Sequence, residues 1–377
     1  MSGVLGAGAE VLEPTVSITE RERRADARST TERAPSAAIT LHDVAHAAGV
    51  SVSTASRALN GSSRQVSEPF RQRVEKAAAG LGYTANLLAQ ATARGNSAII
   101  ALLVADIADP YFGQIAAGVA RGADEAGLIV TIAVTERDQL REARLVRALR
   151  GQHPRAIILA ASRTAEPVDP GLRNDLAALS CAGGQVVTMG PGDGTARSVT
   201  VDNASGARAL GVALGERGYR EALVLAAGEG VLTSDERVTG FREGFAAAGG
   251  GIRRIYRGDY SRESGQELMG RALIDGIDPG TLVFAVSDVV AIGAIIAVNR
   301  AGRGVGGDIA LCGFDDIPAA RDVTPRLTTV RVPLEEFGYR ALRAAIGEDG
   351  AIESAPLLLE VILRESTPPR APRDSRR

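Results

Sequence analysis

Long apolar runs are missing from this 377-residue chain. No stretch approaches the ~20 consecutive apolar residues of a membrane helix, and the N-terminus has no basic segment followed by an apolar one. Neither a membrane span nor a secretion signal is therefore expected, and the expected compartment is the cytoplasm. Cysteine is nearly absent. Cys181 and Cys312 are the two thiols, too isolated for a disulfide framework and suited to a reducing compartment. Histidine is equally scarce. His42 and His46 are spaced as in the zinc pattern His-Glu-x-x-His, but Asp43 stands where the glutamate would, and the third histidine, His153, is remote in sequence. No metal site is expected. Catalytic signatures are missing too: there is no Gly-x-Ser-x-Gly elbow or P-loop, and the run Gly3-Val4-Leu5-Gly6-Ala7-Gly8 is not set between a strand and a helix. Enzymatic activity and a bound cofactor are not expected.

What is present is a hydrophobic content of 45%, enough core for a small head and a two-lobed body. The head is written in residues 40 to 60. Thr40 caps a first helix with Asp43 at its third position, close to a capping box, and Leu41, Val44, Ala45 and Ala48 share one face. Gly49 supplies the left-handed turn, and Ser51 caps a second helix whose inner residues are Val52, Ala55, Ala58 and Leu59. Asn60 and Gly61 stop it. So tight a turn projects the second helix outward, which presents Val52, Ser53, Thr54, Ser56 and Arg57 to a groove. Hydroxyls and arginine donate to phosphates, arginine can fork onto a guanine edge, and a valine methyl can meet a thymine methyl. A third helix follows, capped by Ser67, with Pro69 in its first turn and Phe70, Val74, Ala77, Ala78 and Leu81 inward. Between residues 39 and 96 the cations Arg57, Arg64, Arg71, Arg73, Lys76 and Arg94 outnumber the anions Asp43, Glu68 and Glu75, although the whole chain carries −2. A basic head on an acidic body is the footprint of phosphate binding, and so modest a charge per head suggests two heads acting together.

From Ala98 onward short apolar runs alternate with amphipathic segments in the βαβ rhythm of parallel sheets. Strands are expected at Ala98 to Val104, Leu128 to Val134, Ala156 to Ala160, Gln185 to Met189, Ser198 to Val201, Glu221 to Ala226, Thr281 to Val286 and Ile309 to Cys312. Helices are expected at Tyr111 to Ala126, Asp138 to Arg150, Asn203 to Arg217, Asp235 to Ala248, Ser261 to Asp275 and Val289 to Ala301. Two doubly wound lobes result, with the ligand site expected in the cleft at the carboxyl ends of their strands. The expected organisation is a disordered leader at 1–38, a helix-turn-helix domain at 39–84, a hinge at 85–96, the core at 97–366 and a disordered tail at 367–377.

Leu41 to Asn60, Leu81-Gly82-Tyr83 with Asn86, Asp109-Pro110-Tyr111-Phe112 and Val201-Asp202-Asn203 follow one another in an order that is itself informative. So do Ser234 to Phe241, Ser287-Asp288, Gly313-Phe314-Asp315-Asp316 and Leu327 to Val330. Together they resemble the LacI/GalR family of bacterial transcription regulators. The resemblance implies an all-α DNA-binding head and a periplasmic-binding-protein-like α/β core with parallel sheets. It also implies a homodimer on a pseudopalindromic double-stranded DNA operator, released by a small polar effector such as a sugar. Val52 and Ser53 match the main specificity positions and Thr54, Ser56 and Arg57 the phosphate and base contacts. Thr40, His42, Ser51, Asn60, Tyr83 and Asn86 complete the implied DNA-binding set. In the cleft Phe112 matches a wall residue, Arg237 and Asp288 a clasp for hydroxyls or ring nitrogens, and Tyr260 a stacking aromatic, with Phe314 beside them.

Two departures stand out. Thr92 replaces the hinge leucine that wedges into the minor groove, and Ala85 replaces a proline, so kinking of the operator is expected to be weaker or to fall to Leu87 or Leu88 near Ala89. Gly190-Pro191 occupies the place of a cleft aspartate, which removes one hydroxyl acceptor. The expected function is repression by a sequence-specific, effector-controlled DNA-binding protein. Two alternatives remain open: a regulator that has lost its effector, and a solute-binding protein, which the missing secretion signal disfavours.

Overall fold

The computed structural model describes residues 39–60, 66–84, 97–161, 164–191, 196–347 and 356–370. Asn86 and the expected hinge residues Leu87, Leu88, Ala89 and Thr92 lie outside the described residues, as does the side chain of Asn60. The chain divides into two compact units, one ending at Ala85 and the other beginning at Asn86.

In the first unit three helices surround a small core. Helix α1 (Leu41–Ala48) begins in a capping box: Asp43 Oδ2 accepts from Thr40 N at 2.8 Å while the Asp43 N–H donates back to Thr40 Oγ1. Gly49 ends it at φ 62°, a conformation that leaves glycine unstrained. Arg73, from α3 (Glu68–Leu81), ties this turn down by donating to Ala48 O at 2.5 Å. Val44, Ala45, Ala48, Val74 and Ala78 close over Ala55 of α2 (Val52–Asn60). Two expected features of the head fail, and one double reading is resolved. Phe70 and Leu81, expected inward, are exposed, because the small triangle of alanines and valines leaves no room for them; Val52, read both as inner and as groove-facing, points outward at 41% exposure. Ser67 sits at the start of α3 without a side-chain cap bond.

The second unit contains two parallel sheets. The first lobe runs β1 (Ile99–Val104), α4 (Pro110–Glu125), β2 (Ile129–Val134), α5 (Gln139–Arg150), β3 (Ala156–Leu159), α6 (Pro170–Cys181), β4 (Gln185–Met189) and β5 (Arg197–Val199). Its strands lie in the order β2-β1-β3-β4-β5. Then come α7 (Asn203–Glu216), β6 (Glu221–Ala227), α8 (Leu232–Ala247), β7 (Gly251–Gly258), α9 (Arg262–Asp275), β8 (Thr281–Ala285), α10 (Asp288–Arg300) and β9 (Ile309–Cys312). The second sheet has the order β7-β6-β8-β9. In both sheets the winding reverses beside the first strand, and the crevice at such a reversal opens at the strands' carboxyl ends. The apolar runs of β1, β3, β6, β8 and β9 are buried almost throughout, as strands covered on both faces must be.

The chain closes with α11 (Ala319–Asp322), β10 (Thr329–Arg331), α12 (Leu334–Ala345) and β11 (Glu360–Ile362), β10 and β11 pairing antiparallel. Helix α12 returns to the first lobe and crosses α4 closely: a Cβ on Gly118 would lie 1.8 Å from Glu335 O, and one on Gly338 2.1 Å from Ile115 O. After β11 the chain is back on the second lobe. Ser366 and Thr367 are fully buried, Leu311 N donates to Ser366 O at 3.0 Å, and Arg370 N donates to Arg217 O at 2.8 Å. The expectation that everything from 367 is a disordered tail is therefore corrected for residues 367–370, whose backbone satisfies the second lobe.

Candidate functional site

The head presents one reading face. Ser51 Oγ accepts from Thr54 N at 3.1 Å and lies 2.9 Å from Ser53 Oγ, which fixes the start of α2. Val52, Ser53 and Arg57 are exposed beyond it, Thr54 and Ser56 half-exposed, and His42 exposed on α1. Tyr83 lies half-buried against the head's core, its N–H donating to Ala78 O at 2.9 Å. Thr40 is engaged in its cap.

In the second unit a cavity of about 950 Å³ opens between the carboxyl ends of the two sheets. The first lobe contributes Asp109, Tyr111, Phe112 and Arg137, and the second Thr233, Arg237, Tyr260, Ser287 and Asp315. Asp109 caps α4 by accepting from Tyr111 N at 2.9 Å, which sets Tyr111 and Phe112 edge to face at 5.0 Å. Arg137 reaches the cavity from a turn in which it and Glu136 both hold positive φ, 58° and 54°, strain that side chains tolerate where a site demands it.

Arg237 is the fixed point. Its Nε donates to Asn203 Oδ1 at 2.9 Å and its Nη1 to Val286 O at 2.8 Å, while Asn203 is itself oriented by Glu236. The Phe314 ring lies 4.0 Å from the guanidinium carbon. Nη2 forms an ion pair of 2.9 Å with Asp315 Oδ1. That buried oxygen receives no aligned hydrogen bond, and each terminal nitrogen of Arg237 keeps an N–H. Both side chains are buried, yet both border the cavity, so the pair places a coupled cation and carboxylate in its wall. Burial, reinforced by the nearby Asp109 charge, outweighs the pull of Arg237 and pushes the Asp315 carboxyl up to about 7. Its backbone sits at φ 113°.

Of the expected cleft residues, Phe112, Arg237 and Tyr260 line the cavity; Asp288 and Phe314 do not. Asp288 is fully buried, accepting from Thr329 Oγ1 at 2.6 Å and Ile317 N at 3.0 Å. Phe314 is likewise fully buried and serves as the floor beneath Arg237. Asp315 stands where Asp288 was expected. The signal for it was the tandem Asp315-Asp316 after β9. Asp316 turns to Arg321, Arg331 and Arg364, so the two carboxylates face opposite ways. Pro191 lines the cavity at the place of the missing aspartate.

A helix-turn-helix head followed by a two-lobed core with a ligand-sized cavity between its lobes defines a ligand-responsive DNA-binding regulator. Residues 40–86 match bacterial regulatory proteins of the lacI family, and residues 213–367 match the periplasmic binding protein-like domain. The transcriptional regulator CelR of Thermobifida fusca is 31% identical over 88% of this chain and 94% of its own. The structure of the lac repressor dimer bound to operator and the anti-inducer ONPF superimposes with a TM-score of 0.74 at 26% identity, covering 88% of this chain and 100% of that one. That of a CelR–cellobiose complex gives 0.61 at 30%, covering 87% and 99%. The chain belongs to the LacI family and is a DNA-binding transcriptional regulator with an effector-binding core.

Proposed function

We propose that this regulator is a cytoplasmic homodimeric repressor that leaves a pseudopalindromic operator when a sugar or sugar derivative fills the cavity, and that it acts by binding alone. Residues 85–96 serve as the hinge between head and core. The observation that carries the effector class is the Arg237–Asp315 pair in the cavity wall beside the ring of Tyr260. Paired donors and acceptors suit vicinal hydroxyls, and an aromatic face suits the apolar side of a sugar ring. The names of the similar structures agree, one a dimer on operator and the other a cellobiose complex. The effector releases DNA by preferring one core conformation, and a ~100-fold preference corresponds to about 2.7 kcal/mol.

The test is selection of the operator from genomic DNA with purified protein, followed by binding in the presence of a sugar panel. A palindromic site whose affinity falls with one sugar supports the reading. Equal affinity with every compound favours a regulator without an effector. Arg57→Ala should lower specific operator affinity by 1–3 kcal/mol or more while the circular dichroism spectrum stays native; wild-type affinity would remove Arg57 from the interface.

A further inference from the structure

Asp315 and Asp316 are consecutive buried acids, both at positive φ, 113° and 54°. Asp315 borders the cavity; Asp316 and the arginines around it do not. The Asp316 side chain is fully enclosed and accepts from three guanidiniums: Arg364 Nη2 at 2.5 Å on Oδ1, and Arg331 Nε at 2.8 Å and Arg321 Nη2 at 3.0 Å on Oδ2. Burial alone would raise its carboxyl, but the bonds from Arg331, Arg364 and Arg321 outweigh it and hold the group below the usual value. One residue away, Asp315 is pushed up to about 7. A single guanidinium would balance the charge of Asp316; three from separate segments fix the direction of its carboxylate as well.

Arg321 belongs to α11, Arg331 to β10, and Arg364 follows β11; β10 and β11 are the strands by which the chain leaves the second lobe for α12 and returns. Arg331 lies between the holds on both acids. On either side of it Asp315 N donates to Val330 O at 2.8 Å and Asp315 O accepts from Val332 N at 3.3 Å, while its own side chain grips Asp316. A φ of 113° is one that L residues rarely adopt, and it persists only where the surroundings over-determine it. We propose that Asp316 is a positioning residue for the effector site: drawn away from the cavity by its three arginines, it holds the 315–316 turn in its left-handed geometry and so aims the Asp315 carboxylate at Arg237. This rests on the reading of the Arg237–Asp315 pair as an effector contact and adds what keeps that pair together. Asp316 touches no effector and acts through Asp315. Without the clamp the turn relaxes towards negative φ, and the Asp315 carboxylate swings from Arg237 into the open cavity, where water restores an ordinary acidity.

The test uses no effector, so its failure is separate from any failure of the sugar reading. Asp316→Asn keeps the size of the side chain and removes the charge that the three guanidiniums share. Arg331→Gln is the milder variant, at a half-exposed side chain whose loss the fold tolerates. Arg326→Gln, whose guanidinium pairs with Glu365 instead, controls for the loss of a charge beside β10. The full chain, carrying carbon-13 at its aspartate carboxyls, would be titrated by NMR, with the Asp315 signal identified by its loss in Asp315→Asn, and each variant would be crystallised. In the unaltered protein and in Arg326→Gln the signal should titrate at about pH 7, with the Asp315–Arg237 pair near 2.9 Å. In Asp316→Asn it should titrate below about pH 6, with the pair parted beyond about 4 Å and residue 315 at negative φ; Arg331→Gln should move it the same way by less. A signal that stays at 7 or rises in Asp316→Asn, with the pair intact, would overturn the proposal and leave the backbone bridge to β10 as sufficient. Should Asp316→Asn not fold, the same two readings in Arg331→Gln decide, and unchanged values there overturn it. An equal movement in Arg326→Gln would also overturn it, since charge alone would then be the cause.

Discussion

Asp315 and Asp288 are both buried acids of the second lobe, yet they make opposite commitments. Asp288 is saturated by its own fold, so Asp288→Ala leaves Thr329 Oγ1 and Ile317 N without an acceptor. It should cost about 2–4 kcal/mol in urea unfolding, which sets it apart from a residue acting only on effector response. Asp315→Asn should keep the fold and weaken effector binding at least tenfold by calorimetry, since it removes the carboxylate charge paired with Arg237 in the cavity wall. The pH behaviour follows from the folded carboxyl's rise from 3.8 to about 7. The native state holds a proton that the unfolded chain releases, so this contribution to stability is full below about pH 4, declines as pH rises to about 7 and is flat above. Thermal melts between pH 4 and 7 should show a shallower decline in Asp315→Asn, although Asp288 and Asp109, also pushed up by burial, keep part of it. Effector affinity runs the other way, rising towards pH 7 as the acceptor ionises; an unchanged affinity from pH 5 to 8 would exclude Asp315 from the hydroxyl contact. The sequence could bring an acid to this arginine but not choose between residues 288 and 315, because the choice depends on which carboxylate the fold has already used.

Among elements, the head helices were legible because caps, turn glycine and inward face are local. The strands buried on both sides were legible as apolar runs. Strand β7 was not, since Arg253, Arg254 and Arg257 make it read as loop; at the sheet's edge these arginines reach Asp278, Asp275 and Asp235 instead. Helices α6 and α12 were missed as well. For α12 the reason is tertiary: it is amphipathic, but its apolar face meets α4 from more than two hundred residues earlier. The crossing gives a sharp test. Gly118→Ala places a Cβ against the Glu335 carbonyl, a backbone atom that cannot swing aside. It should destabilise the core by about 2–3 kcal/mol, whereas Gly113→Ala on the same helix, with nothing within 4 Å, should be nearly neutral. Equal melting temperatures would mean the two helices lie further apart.

At the scale of the molecule, the two-lobed plan and its cleft were readable from the βαβ rhythm, but the way the chain laces the lobes together was not. The last stretch of the core shows the consequence. Ser366 Oγ donates to Leu311 O at 2.6 Å and accepts from Thr328 N at 2.8 Å, so a chain ended after Arg364 removes partners from two buried segments. Its melting temperature should fall by about 5 °C or more, while a chain ended after Arg370 should melt like the full one. If both melt alike, residues 365–370 contribute nothing.

The return of α12 to the first lobe also bears on how the protein is made. The head has all its parts once residue 84 is synthesised, but the first lobe, begun at residue 97, lacks a wall until residue 345 has left the ribosome, tens of seconds later at ordinary rates. Translation broken off before that point can release a complete DNA-reading head, yet never a complete lobe. The order of synthesis thus delivers the hand that holds DNA well before the means of letting go.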